Sequence, residues 1–222
     1  MTSTQRVRAK RLEKQAAPGE PRKRVSFTDW ARAQGSILLK PVVGLLIRLG
    51  LHPNTVTLVG MLLQLGVGVV FGLGHLLLGG WLLLAVAPLD AIDGLLARTA
   101  GKQSRFGAFL DSTLDRISDA ALILGLTVHY WRQDAHLQVA LLLVSLVAAM
   151  MVSYVRARAE AVGFTCKVGL LTRFERIVVI GLLSAIGLHT AMIWVLAACS
   201  VFTVIQRILH VYAVARREEA ER

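Results

Sequence analysis

Four carboxylates, Asp90, Asp93, Asp111 and Asp115, stand where carboxylates are costly. They lie in the stretch D-A-I-D-G-L-L-A-R-T-A-G-K-Q-S-R-F-G-A-F-L-D-S-T-L-D, set between long apolar runs. A lone charge at a bilayer centre costs roughly 2.5–3.5 kcal/mol on insertion scales. Four uncompensated charges would cost on the order of 10 kcal/mol, comparable with the whole stability of a domain. These acids must therefore face one another, water, cations or a ligand. Asp90 and Asp93 are i,i+3 on one helix, and Asp111 and Asp115 are i,i+4 on the next. Gly101 lies between the pairs and allows a short turn. Oxygen ligands in this number suit a hard cation, Mg²⁺ or Mn²⁺, and four carboxylates suit two such ions. Gly94 and Gly107 would let a ligand approach the backbone. Arg98 supplies a permanent cation suited to a phosphate.

The spacing D-x2-D-G-x2-A-R-x8-G-x3-D-x3-D resembles the signature of the CDP-alcohol phosphatidyltransferase family, matched at Asp90, Asp93, Gly94, Ala97, Arg98, Gly107, Asp111 and Asp115. The resemblance implies a transferase. A CDP-linked lipid, CDP-diacylglycerol, would donate its phosphatidyl group to an alcohol, and CMP would leave. Two Mg²⁺ or Mn²⁺ ions would bridge the diphosphate, with Asp90, Asp93 and Asp111 as principal ligands. Asp115 is the candidate general base for the acceptor hydroxyl, and also a candidate metal ligand. Gly94, Ala97, Arg98 and Gly107 would bind the CDP-lipid. The run Leu51-x-Pro53-Asn54-x-x-Thr57 is also typical of this family, and by that resemblance Asn54 and Thr57 would line the nucleotide pocket; a helix cap and an ordinary membrane threonine are the plain reading of the same residues. The competing account of the acids, structural ion pairs between membrane helices, leaves the glycine spacing unexplained.

The elements that must position these residues are helices in a membrane. The chain has 222 residues, 55% of them hydrophobic, with a mean hydropathy of +0.60. The expected class is an all-α polytopic membrane protein with six transmembrane helices and an N-terminal interfacial amphipathic helix. Its parts are a disordered basic tail (1–27), the interfacial helix (28–51), the catalytic domain (52–217) and a charged C-terminal tail (218–222). The expected spans are 54–73, 76–99, 106–130, 136–158, 172–189 and 191–215. His52-Pro53 breaks the chain before the first of them, and Asn54 or Thr55 is expected to cap it. The first 40 residues carry ten Lys/Arg against three acids. That excess suits anionic headgroups rather than nucleic acid. Cys166 and Cys199 lack metal-ligand spacing and read as packing residues. Lys/Arg counting places both termini and the motif on the cytoplasmic side of a cell membrane, since the opposite connections hold a single Arg132.

The acceptor is read from arginines. Arg156, Arg158, Arg173 and Arg176 crowd the cytoplasmic mouth, where positive-inside topology alone would explain some of them. Arg207 is expected about nine residues, roughly 13 Å, inside the last helix. A cation at that depth calls for an anion. Together they suggest a pocket for an acceptor that carries its own phosphate. The stretches S-Y-V-R-A-R-A-E and T-R-F-E-R are similar to those of the phosphatidylinositol phosphate synthases in this family. The resemblance assigns Ser153, Arg156, Arg158, Arg176 and Arg207 to the phosphate of an inositol phosphate. Arg156 and Arg158 are about 200° apart on an ideal helix and cannot point one way. Glycerol 3-phosphate, giving phosphatidylglycerol phosphate, is the nearest rival acceptor. A divalent cation transporter is the reading from another class, but no internal repeat is visible and the acids sit at one membrane face. Asp119 extends the row from Asp111 and Asp115 and is expected to pair with Arg116 or another helix. Gln64 is expected to hydrogen-bond a neighbouring helix. Family members form homodimers, and the resemblance implies the same here.

Overall fold

Pro53 opens the helix that follows the His52 break, where its missing N–H is one of the unpaired donors of a first turn. The computed structural model describes residues 40–220. Pro53–Gly72 is α1, and its cap is His52, whose ring Nδ1 accepts from the backbone N–H of Asn54 at 3.3 Å. The cap expected at Asn54 or Thr55 therefore moves back to His52, because Pro53 already has helical geometry. The expected tail 1–27 and the first part of the interfacial helix 28–51 lie outside the described residues. The described part of that segment is helical over 40–48.

The second expected span is broken in two. Leu76–Val86 is α2 and Pro88–Thr99 is α3. Pro88 has no N–H to give the preceding turn and its ring crowds the carbonyl there, so the helix is interrupted at Ala87. α3, which carries Asp90 and Asp93, is thus a separate short helix. It ends at Ala100, with Gly101 at φ 63° and the Lys102 N–H returning to the Ala97 carbonyl at 3.0 Å. A glycine in the left-handed region is the usual way to stop a helix in such a turn. Ser104 caps α4 (Arg105–Trp131) by accepting from the Gly107 N–H at 2.9 Å. The two halves of the motif are therefore joined by the short turn expected at Gly101 and by a cap at Ser104.

α5 is His136–Ala161, α6 is Arg173–Ala185 and α7 is His189–Ala220. α6 opens with a capping box, Thr172 and Glu175 each bonding the other's end of the first turn. Its 13 residues rise about 20 Å, less than the roughly 30 Å hydrocarbon core. α7 continues through the charged residues 216–219, so the described part of the expected C-terminal tail is helical.

Among the described residues there is no strand, and four helical stretches are long and apolar enough to cross a membrane: Pro53–Gly72, Leu76–Thr99, His136–Ala161 and His189–Ala220. The polarity is inverted relative to a water-soluble fold. Gln64, Asp93, Asp119, Arg176 and Arg207 are buried, while Leu62, Trp81, Val147, Trp194 and Phe202 face outward. The apolar interior gathers Phe71, Leu83, Leu122, Leu126, Leu142, Ile180 and Leu196. α1 and α4 meet backbone to backbone, since a Cβ on Gly68 would fall 2.6 Å from the Ala121 carbonyl oxygen. That close approach brings the polar side of α1 against the motif helices.

Candidate functional site

α1, α3, the 101–104 turn and the first turns of α4 enclose a cavity of about 530 Å³, within the size range of ligand pockets. Asn54 and Thr57 come from α1, Asp93, Gly94, Ala97 and Arg98 from α3, and Gly107 and Asp111 from α4. Every residue assigned to the CDP-lipid by resemblance lines this one cavity. Lys102, Gln103, Ser104 and Arg105 also line it. The cavity exists because the wall lacks side chains where it could be filled. A Cβ on Gly94 would meet nothing but the far end of Arg98, at 3.9 Å. Gly107 is tighter, for a Cβ there would stand 3.0 Å from Ser104 Oγ and 3.2 Å from Asn54 Oδ1. Gly107 therefore serves the cap and the α1 contact as well as the wall. Thr57 bonds the Pro53 carbonyl at 3.2 Å and stands beside the Asp93 carboxylate.

The other two motif aspartates turn towards α6. The Arg173 guanidinium bonds Asp90 and reaches Asp115 Oδ1 at 3.2 Å and Asp119 Oδ1 at 3.7 Å. Gln64, fully buried on α1, donates to both Asp90 oxygens at 3.2 and 3.4 Å and accepts from Arg173 at 3.5 Å. Its expected bond to a neighbouring helix is thus a bond to the motif itself. Asp119 finds its partners on α6, pairing with Arg173 and with Arg176 at 3.4 Å. Arg173 was not assigned to the acids by its sequence position; the i,i+3 pairing of Arg173 with Arg176 on a helix start was the available signal.

The arginines expected to hold an acceptor phosphate fall into different settings. Arg176 is 1% exposed, and although its charge lies near Asp119, none of its guanidinium nitrogens has a hydrogen-bond partner among the described residues. Arg207 is buried too, but its charge is met by the backbone carbonyls of Val168, at 2.8 Å, and Val152. The Arg207 Nε and Nη1 groups bond backbone carbonyls, and the side chain so ties the 162–172 connection to α5 and α7. Arg156 is exposed and pairs with Glu160 on its own helix at 2.9 Å. Arg158 is exposed and Ser153 is half-buried.

A model of the CDP-alcohol phosphatidyltransferase domain matches residues 50–213. The chain belongs to the CDP-alcohol phosphatidyltransferase family. The match covers every described helix of the site, from α1 to most of α7. A phosphatidylinositol phosphate synthase of Corynebacterium glutamicum is 41% identical over 187 residues, 80% of this chain and 85% of that protein. An archaetidylinositol phosphate synthase of Methanothermobacter thermautotrophicus is 40% identical over 171 residues, 74% of this chain and 85% of its own length. The crystal structure of the Mycobacterium tuberculosis phosphatidylinositol phosphate synthase with CDP-DAG bound superposes with a TM-score of 0.72 at 32% identity, covering 78% of this chain and 92% of that one. The same enzyme has been solved in complex with manganese and citrate, with a TM-score of 0.73, 32% identity, and coverage of 78% and 88%. This protein is accordingly a membrane enzyme of phospholipid synthesis.

The donor set can be tested against a divalent cation. Its chemistry fits: the acids offer hard oxygens only, and they already hold a cation, the Arg173 guanidinium. Among the described residues, however, no three His, Cys, Asp or Glu side chains converge closely enough to hold an ion together. Asp90 and Asp115 are turned to Arg173 instead.

Proposed function

We propose that this protein transfers the phosphatidyl group of CDP-diacylglycerol to an inositol phosphate, releasing CMP and forming phosphatidylinositol phosphate. The observation that carries the reading is the single cavity that collects the donor-side motif residues and opens onto Asp93 and Asp111. The names of the relatives agree in the inositol phosphate and differ in the lipid, which favours that acceptor over glycerol 3-phosphate. They also disfavour a divalent cation transporter.

The cytidine would pack on the bare backbone at Gly94 and beside Gly107, with Asn54 and Thr57 behind it. Arg98 would hold the diphosphate. Asp90, Asp93 and Asp111, with Asp115 at the edge, would hold Mg²⁺ or Mn²⁺, two ions in our reading. A divalent cation there would offset diphosphate charge and stabilise the leaving CMP. Asp115 would take the proton of the attacking hydroxyl. The buried guanidinium of Arg176, with donors unused by protein, suits the acceptor phosphate, since buried donors without partners cost about 1–3 kcal/mol each. Ser153, Arg156 and Arg158 would border that phosphate from α5, and Arg207 would brace the connection behind it.

The catalytic domain in this reading is 52–217, a bundle that crosses the membrane six times. α4 has 27 residues, about 40 Å, with its charges between Arg105 and Asp119. α6 would complete its crossing with the apolar residues Leu170, Leu171, Ile186 and Leu188 on either side of it. The basic connections favour a site at the cytoplasmic face, and a homodimer is the expected assembly. The test supplies purified protein with CDP-diacylglycerol and each candidate acceptor and follows CMP release. Release that depends on inositol phosphate and on a divalent ion is expected. Release that persists in chelator, from folded protein, overturns the cation role.

A further inference from the structure

Arg173 stands where the aspartates require positive charge. Its place is fixed by the capping box that starts α6, so its side chain is launched from a rigid turn. It contacts acids on two other helices, Asp90 on α3 and Asp115 and Asp119 on α4, and Gln64 braces Asp90 from a third. The fit is electrostatic more than geometric. The Arg173 Nε has no hydrogen-bond partner among the described residues, although Asp119 lies 3.7 Å away. A guanidinium in a fitted polar socket would use that donor. The side chain is also 21% exposed, unlike Arg176 at 1%, so it has room to leave.

Asp90 and Asp115 cannot present the same oxygens to a guanidinium and to a divalent ion, and two cations a few ångströms apart repel. We propose that Arg173 is an internal placeholder cation, which holds Asp90 and Asp115 together in the metal-free protein and is displaced when a divalent ion enters. The proposal rests on the reading of the motif aspartates as the cation site. In that exchange Arg173 is a positioning residue. It keeps the acids paired and the helices apposed before the cation arrives, and it lowers the protein's affinity for that cation. Asp119, outside the motif, keeps a claim on the guanidinium once Asp90 and Asp115 are taken.

The experiment measures Mn²⁺ binding to the full-length protein in detergent without substrate, by calorimetry, for wild type, Arg173→Gln and Arg173→Lys. Arg173→Gln should bind Mn²⁺ at least about tenfold more tightly than wild type, the equivalent of 1.4 kcal/mol. Its midpoint of thermal unfolding in chelator should fall below that of wild type, and saturating Mn²⁺ should remove most of the deficit. Arg173→Lys, which keeps the charge but loses the fork, should lie between. Equal or weaker Mn²⁺ binding by Arg173→Gln overturns the placeholder, and so does a deficit in unfolding temperature that Mn²⁺ leaves untouched. Mn²⁺ binding to neither wild type nor variant overturns the cation reading of the aspartates itself. Should Arg173→Gln not fold, the side-chain Nε resonance of Arg173 in wild type, assigned from its loss in Arg173→Lys, decides the matter. It must shift on adding Mg²⁺, and an unchanged resonance overturns the proposal.

Discussion

The two faces of the aspartate motif are made from the same residue type at similar spacing, yet they meet different neighbours. Asp93 and Asp111 border an open cavity walled by glycine, alanine and small polar residues from α1 and α3. Asp90 and Asp115, one turn of helix away, face α6 and are held by Arg173, with Asp119 and Arg176 behind them. Residues at i and i+3 differ by about 60° in direction, and those at i and i+4 by about 40°, enough to put adjacent acids of one row against different helices. The difference teaches that the motif is a divided device. One side borders a cavity, and the other has most of its negative charge offset by arginines of α6.

The largest effect should come from breaking the open side. Asp93→Asn or Asp111→Asn should lower the rate of CMP release by about a thousandfold or more. The loss corresponds to roughly 4 kcal/mol of transition-state charge stabilisation. Turnover within tenfold of wild type, in protein that stays folded, would mean that the cavity face does not carry the chemistry. Next comes the closed side. Asp119→Ala strips the only carboxylate paired, among the described residues, with Arg176, which is almost fully buried. Removing one partner of a buried pair costs about 3–5 kcal/mol, so thermal unfolding in detergent should show a marked drop. A variant as stable as wild type would show that the closed side is not held by its charges.

A third substitution separates the ligands of the two faces. Arg176→Gln should raise the apparent KM for the acceptor by about 10–150-fold, the loss of one charge-assisted hydrogen bond of roughly 1.5–3 kcal/mol, with affinity for the CDP-lipid unchanged. Arg207→Gln, by contrast, should act first on folding, because two donors of that side chain hold the Val152 and Val168 carbonyls. Equal acceptor defects in the two variants would erase the distinction between them. The smallest effect is expected from Gly94→Val, about a tenfold loss in donor binding with the helices intact, since the new side chain would enter open space in the cavity. Normal donor binding would move the nucleotide elsewhere.

The motif, its helical spacing and the family were legible in the chain, because a fixed pattern of charges and glycines records a local backbone requirement. The turn at Gly101 and the cap at Ser104 follow from the same local chemistry. What depends on side-chain reach across helices was not legible. Nothing near Arg173 in sequence marks Asp90 as its partner, 83 residues earlier. The burial of Arg207 was anticipated, but not that two backbone carbonyls would meet its charge. The break at Pro88 was not anticipated, although a proline inside an apolar run is a signal for one. The shortness of α6 was hidden by apolar residues that continue past Ala185 into the turn at Gly187.

Purified protein should be given CDP-diacylglycerol, Mg²⁺ and equal concentrations of inositol phosphate and glycerol 3-phosphate, and the lipid product weighed by mass spectrometry. The arrangement described here predicts phosphatidylinositol phosphate as the main product, formed one for one with CMP. A product that is chiefly phosphatidylglycerol phosphate, or CMP release that needs no phosphorylated acceptor, would contradict it.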